Sequence, residues 1–184
     1  MKRGFSLIEM LVAITITAII LAITTTQLFM QRKHINMQQN QIQLDRNTRL
    51  ALVFIGNEMR ELGIDPKKTH AFGIVSGNTS SIQYLSDKNR NGFVDLGEAG
   101  DIHINGNVLT YNNDSIIPDV DSLIITYLDR NNKSIAGGFT ENDGTGFYTD
   151  TVALFDVHLI TERYDVRGKL LARSDQSAQF ERKN

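Results

Sequence analysis

Residues 5–30 form an unbroken apolar run whose only formal charge is Glu9, and Met1-Lys2-Arg3-Gly4 precedes it. A helix rises about 1.5 Å per residue, so this run reaches roughly 39 Å and can cross a bilayer core of about 30 Å. The rest of the chain must therefore fold while tethered to a membrane-length segment. Lys2 and Arg3 place the N-terminus on the cytoplasmic side by the positive-inside bias, so the remainder is expected to be translocated.

A secretory signal also joins a basic start to an apolar run, but its run is shorter and ends in a small-residue cleavage site. Here the Gly-bearing junction comes first, as Arg3-Gly4-Phe5-Ser6-Leu7-Ile8-Glu9, and the run continues into an amphipathic helix. The arrangement resembles the class III signal of type IV prepilins and type II secretion pseudopilins. That resemblance implies cleavage by a membrane prepilin peptidase between Gly4 and Phe5, N-methylation of Phe5, and pairing of Glu9 with a neighbouring subunit's amine during assembly. It further implies an inner-membrane assembly platform and other pilins or pseudopilins as partners, met through the N-terminal helices. The head would be periplasmic, then extracellular in a filament. A plain single-pass anchor with one stray Glu is the alternative. Insertion scales charge about 2.5–3.5 kcal/mol for an acidic side chain at a helix centre, which argues that Glu9 has a partner.

The domain organisation follows: a leader over 1–4, a membrane-spanning or filament-core helix over 5–30, and a head over 31–184. The 184 residues leave room for one real core and no second domain. Lys2 and Arg3 are two of the 19 basic residues, set against 21 acidic ones, so loss of the leader moves the net charge from -2 to about -4. That balance disfavours nucleic acid as a partner. There is no cysteine, so a head exposed to an oxidising compartment must be held by its core or by another staple such as a metal.

Within the span, Thr15, Thr17, Thr24, Thr25 and Thr26 can bond back to the preceding turn or across to another helix. The proline that many major pilins carry partway along this helix is absent. From Gln31 the composition turns polar, and apolar residues then recur at Leu44, Ala51, Leu52, Ile55, Met59 and Leu62. These spacings predict one nearly continuous helix over 5–62, closed by Gly63 and Asp65-Pro66, with an amphipathic second part over 31–62. The stripe reads as core under a sheet; a coiled-coil seam is the alternative.

Beyond Pro66 the period becomes alternating, and 63–184 reads as β-rich. Strands are predicted over 81–86, 101–104 and 108–111, with a type I′ hairpin at Asn105-Gly106. A central strand is predicted over 122–128. A long strand over 151–164 should bulge near Phe155 and Asp156, followed by a turn at Arg167-Gly168, a strand over 169–172 and an edge strand over 178–182. Residues 129–150, with four glycines, read as a mobile or functional loop, and Asp129-Arg130-Asn131 as a turn. The fold class is α+β, pilin-like: a long N-terminal helix packed by its second half on an antiparallel sheet. Residues 51–65, the Leu-Ile-Ile-Thr-Tyr-Leu-Asp strand and the C-terminal Arg182-Lys183-Asn184 are similar to minor pilins of the PilW type and to J-type pseudopilins.

The head's clearest chemical pattern is Asp87-Lys-Asn89-Arg-Asn91-Gly92-Phe93-Val-Asp95-Leu-Gly-Glu98. It fits the twelve-place calcium loop of EF-hands, with oxygen side chains at places 1, 3, 5, 9 and 12, glycine at place 6 and the Phe93 carbonyl at place 7. Ca²⁺ wants six to eight hard oxygens, and alternate residues of a tight loop point inward. Strands rather than helices flank it, so the expectation is an ion-binding loop alone. An Asn/Asp/Gly-rich β-loop bonded to its own backbone is the competing reading. His34, His70, His103 and His158 are dispersed, and no nucleophile elbow, phosphate loop or cysteine nucleophile is present, so no catalytic residue is expected. Lys67, Lys68, His70 and Phe72 read as a solvated loop rather than a nucleic-acid patch. The functional expectation is a structural minor pilin of a type IV pilus. The alternatives are a type II secretion pseudopilin, or a membrane-anchored calcium-binding protein that does not polymerise.

Overall fold

The computed structural model describes residues 6–62, 64–67, 69, 71–135, the backbone of 139–140, and 152–182. One helix, α1, runs over Leu7–Glu61. By internal contacts the chain divides into two units, 1–40 and 41–184.

In the first unit the side chains of residues 6–39 are exposed, the large apolar ones included. By length and composition this helix can cross a membrane. The threonines show the first of the two options above: Thr17, Thr24 and Thr26 bond to the carbonyl four residues back, while Thr15 and Thr25 share the carbonyls three and four back. Each hydroxyl is thereby satisfied inside its own helix, as hydrocarbon surroundings require.

In the second unit the helical stripe is core. Leu44, Ala51, Leu52, Ile55, Met59 and Leu62 are all buried. All but Leu44 pack among Ile74, Ile82, Tyr84, Ile102 and Leu109 from one side of the head and Val120, Ile125, Phe155, Val157 and Leu159 from the other. Gly63, expected to close the helix, lies outside the described residues.

The strands divide into two antiparallel sheets rather than one. They are β1 (Gly73–Gly77), β2 (Ser81–Leu85), β3 (Ala99–Asn105), β4 (Val108–Tyr111), β5 (Asp114–Ile117), β6 (Val120–Leu128), β7 (Ser134–Ile135), β8 (Phe139–Thr140), β9 (Leu154–Tyr164) and β10 (Leu170–Glu181). One sheet has the order β5-β4-β3-β2-β1-β8, the other β10-β9-β6-β7. The chain first crosses between them at Pro118-Asp119. There Asp119 takes a left-handed φ of 65°, and its carboxylate is held by Arg163 Nε at 2.8 Å and Nη2 at 2.7 Å.

Several expectations are corrected. The β3–β4 turn is displaced by one residue: Asn105 pairs with Val108, so Gly106 and Asn107 are the loop. Of these two only Gly106 has positive φ, 63°, the pattern of a type II′ turn. The type I′ hairpin lies one strand later, where Asn112 and Asn113 have φ of 50° and 71° between paired Tyr111 and Asp114. No bulge occurs at Phe155 or Asp156; both keep register with β10 and β6, and the shifts fall at Val120/Ser122 and Leu170/Ala172. The two predicted C-terminal strands are one, β10, paired with β9 along its length. Strands β1 and β5 are absent from the sequence reading, and β7 and β8 fall in the stretch read as loop. The turn at Asp129 is present: its Oδ1 accepts from the backbone of Asn131 and Lys133, each at 2.8 Å.

Candidate functional site

At the N-terminus, Ser6-Leu7-Ile8-Glu9 forms a reciprocal cap. Glu9 Oε2 accepts the Ser6 N–H at 3.0 Å, and Ser6 Oγ accepts the Ile8 N–H at 3.4 Å. This resembles a capping box, except that the serine oxygen takes the second rather than the third helical N–H, and it satisfies two of the orphan donors at the helix start. Sequence reasoning missed it, although the Ser-x-x-Glu spacing announces it. Gly4 and Phe5, the expected cleavage and methylation positions, lie outside the described residues. Glu9 therefore sits at the helix start with a local acceptor role, and its carboxylate also faces the positive end of the helix dipole.

In the head, the twelve-place segment joins β2 to β3, whose ends pair as Leu85 with Ala99. It is a loop between strands, as expected, and its side chains turn inward upon its own backbone. Asp87 is buried, with Oδ1 accepting from Asn91 N and Oδ2 from Gly92 N, both at 3.0 Å. Glu98 is buried too, with Oε1 accepting from Asn89 N at 3.4 Å and Oε2 from Asp95 N at 2.8 Å. Asn89 Oδ1 accepts from Asn91 N at 2.9 Å and Asn91 Oδ1 from Phe93 N at 2.7 Å. The two amide nitrogens both donate to Asp95 Oδ2. Gly92 takes a left-handed φ of 78°, which favours glycine, and a Cβ there would stand 2.7 Å from the Lys67 side chain and displace it.

The structure thus brings Asp87, Asn89, Asn91, Asp95 and Glu98 into one bonded loop. Among the described residues no three His, Asp or Glu side chains group as a ready metal cage. The fit to a hard cation is one of donor chemistry: all five side chains carry oxygens. The arrangement would have to change at the two asparagines, whose nitrogens now face Asp95.

The loop is seated on the end of α1. Ser86 Oγ donates to Glu61 O at 2.6 Å, Asp87 N to Ile64 O at 2.9 Å, and Lys67 Nζ to Asn91 O at 2.5 Å. Lys67 is thereby spent on the loop, while Lys68 and His70 lie outside the described residues. Beside the seat stands a hub that sequence reasoning did not find. Glu58 Oε2 accepts from the Tyr84 hydroxyl, from the Tyr111 hydroxyl at 3.0 Å and from Lys88 Nζ at 3.3 Å. Burial, and then the bond to the Glu58 carboxylate, push the Tyr84 phenol far above its ordinary range. Burial opposes the Lys88 charge, but the Glu58 carboxylate and the Tyr111 hydroxyl outweigh it and raise the lysine. The Tyr84 ring fits only because Gly100 has no side chain; a Cβ there would stand 2.2 Å from it. The hub ties helix, two strands and the loop's second residue at a single oxygen.

The three described histidines remain apart. His103 faces Asp101 at 3.2 Å, His158 pairs with Asp175, and His34 is exposed on the helix.

Residues 1–25 match the family model described as the prokaryotic N-terminal methylation motif. The match supports a prepilin-like class III signal at this end of the chain and, with the apolar helix, membrane anchoring. It stops short of the head and does not separate the PilW-like from the J-type subtype. No curated protein and no solved structure matches the chain.

Proposed function

We propose that this chain is a filament subunit, a structural minor pilin of a type IV pilus. The observation that carries this reading is that the methylation-motif segment 1–25 opens a helix that continues without a break to Glu61. Its first part has every large apolar side chain exposed, while its second part carries the buried stripe of an α+β head. Bare apolar surface of that extent needs lipid before assembly and helix partners after it. In the head portion, Ile42, Leu50 and Val53 are exposed on the helix beside Arg46 and Arg49, which extends the surface available to neighbours.

On this reading a prepilin peptidase cuts after Gly4, Phe5 is N-methylated, and Glu9 exchanges its Ser6 cap for a neighbouring subunit's amine. Before assembly the helix sits in the inner membrane with the head in the periplasm, and an inner-membrane platform extracts it. The role is structural, with no catalytic step. The loop holds one Ca²⁺ through Asp87, Asn89, Asn91, Asp95, Glu98 and the Phe93 carbonyl, once the two asparagine amides turn their oxygens inward. What supports this is that all five side chains carry oxygens, that a positive-φ glycine stands at place 6, and that the chain has no cysteine for a disulfide.

A type II secretion pseudopilin uses the same signal and helix and is the second reading. A membrane-anchored calcium-binding protein that stays monomeric is the third; it uses the helix as an anchor but leaves Glu9 and the Gly4 junction of the methylation-motif segment without a role. Intact-mass measurement of the membrane-purified protein tests the pathway. Loss of four residues with gain of one methyl is expected, and an intact Met1 in assembled filaments would overturn it. Recovery in sheared surface filaments, rather than only in a periplasmic complex with secretion components, separates the first two readings.

A further inference from the structure

The chain has two Asn-Gly sequences, Asn91-Gly92 and Asn105-Gly106, and the structure treats them oppositely. We propose that Asn105 is the head's site of spontaneous deamidation, and that the fold shields Asn91 from the same reaction. In this reaction the glycine amide nitrogen loses its proton and attacks the asparagine Cγ, and the side-chain nitrogen leaves as ammonia. The resulting succinimide then adds one water across either carbonyl–nitrogen bond to give aspartate or isoaspartate. Only water is consumed and only ammonia is released. Glycine favours the attack because no Cβ crowds the nucleophilic nitrogen.

Asn91 is denied every element of that step. The Gly92 N–H is held by Asp87 Oδ2 at 3.0 Å. The Asn91 carboxamide oxygen is held by Phe93 N at 2.7 Å and its nitrogen by Asp95, while Lys67 Nζ holds the Asn91 carbonyl. Ring closure there needs these bonds broken together, an opening of the half-buried, bonded loop. Asn105 is the reverse. It ends β3 at an exposed hairpin tip, its side chain has no hydrogen-bond partner among the described residues, and nothing would lie within 4 Å of a Cβ on Gly106. Its restraints are backbone ones, the ladder pairing with Val108 that ends the hairpin and, two residues on, the bond from Val120 N to Asn107 O at 2.9 Å. Hairpin ends open at little free-energy cost, whereas a seated loop does not.

The product matters locally. Asp101, His103 and Asn105 alternate along one face of β3, and His103 already faces Asp101. Aspartate at 105 adds a second negative charge beside that ring. Isoaspartate lengthens the backbone by one carbon and breaks the pairing with Val108.

Incubating the full chain in detergent at mildly alkaline pH, in heavy-oxygen water, and mapping its peptides by mass spectrometry tests the proposal. Heavy oxygen and the deamidation mass gain are expected in the peptide holding Asn105 at a rate at least about tenfold above that holding Asn91. In denaturant the two rates should converge, because both asparagines precede glycine. Asn105→Gln should remove the fast site and leave the slow one. Equal rates in the folded chain, or a ratio that denaturant leaves unchanged, would overturn the assignment.

Discussion

The Phe180 ring fills the space over Gly56, so closely that a Cβ on that glycine would stand 2.2 Å from Phe180 Cε1. The last long strand thus meets the helix where the helix has no side chain. A glycine inside a helix costs about 1 kcal/mol relative to alanine, so its presence here is explained by packing rather than propensity.

Gly56→Ala is therefore expected to destabilise the head. It gains about 1 kcal/mol of helix propensity but forces an overpacked contact that costs about 1–3 kcal/mol, and the ring, walled in by core, has little room to retreat. Urea unfolding of the detergent-solubilised chain should show a lower midpoint. Phe180→Leu in the same chain should recover part of the loss, since the two sites are in direct contact and their effects should not add. An Ala variant as stable as the parent would mean that the strand shifts freely.

The Tyr84 phenol gives the head an alkaline limit. Its pKa is raised by burial and by the Glu58 carboxylate. The folded state therefore holds this proton more tightly than the unfolded chain does. The stabilisation is fully present below the ordinary tyrosine value of about 10 and declines as pH rises above it. Tyr84→Phe should flatten that alkaline decline while lowering stability near neutrality by about 1.5–3 kcal/mol, the range for a hydrogen bond to a charged group. Melting temperatures across neutral to strongly alkaline pH test this. A Phe variant with an unchanged alkaline limb would assign the limit to another group, Tyr127 first, whose phenol is also raised by burial.

The helical core stripe was legible because burial follows spacing: every apolar residue named from the sequence in 44–62 is buried. The sheets were harder, for identifiable reasons. Ser174-Asp175-Gln176-Ser177, polar throughout, separates the two predicted C-terminal strands, yet Ser174 is buried and the segment is mid-strand, held by its partner strand and not by its own propensity. Leu154 and Ile160 sit half-buried on the face opposite Phe155, Val157 and Leu159, so two apolar faces imitated a slip in register. Strand β1 hid between two glycines. In the site, the calcium-type spacing correctly marked a loop between strands. The Glu58 hub was invisible because its members are scattered over 54 positions of sequence and converge only through the fold.

Glu9 carries two separable properties, an acceptor for the Ser6 N–H and a charge. Glutamine also serves in a capping box, so Glu9→Gln keeps the cap and removes the charge, while Glu9→Val removes both. Both variants should insert and be cleaved normally, since each makes the span less costly to place in lipid. If charge pairing with a neighbour's amine governs assembly, both should be depleted from sheared filaments to a similar degree. Filament incorporation of the Gln variant at wild-type levels, with loss only for Val, would assign the residue to capping alone.

The calcium reading stands or falls on whether the loop exchanges its internal bonds for an ion. Binding to the folded state alone stabilises by RT ln(1 + [L]/Kd), about 2.7 kcal/mol when the ion is at 100 times Kd. Melting of the detergent-solubilised chain should therefore rise with Ca²⁺ and fall back with EGTA. Glu98→Ala should abolish the rise, because place 12 supplies two oxygens, while Asp129→Ala should leave it intact because that carboxylate only closes a turn. Mg²⁺ should substitute poorly, as it prefers a tight octahedron that keeps several waters. The competing outcome is specific. The loop already has Asp87 and Glu98 satisfied by four backbone N–H groups. If calorimetric titration at millimolar Ca²⁺ gives no heat and EGTA leaves melting unchanged, those bonds are the whole function of the two buried acids, and the loop is held without a metal.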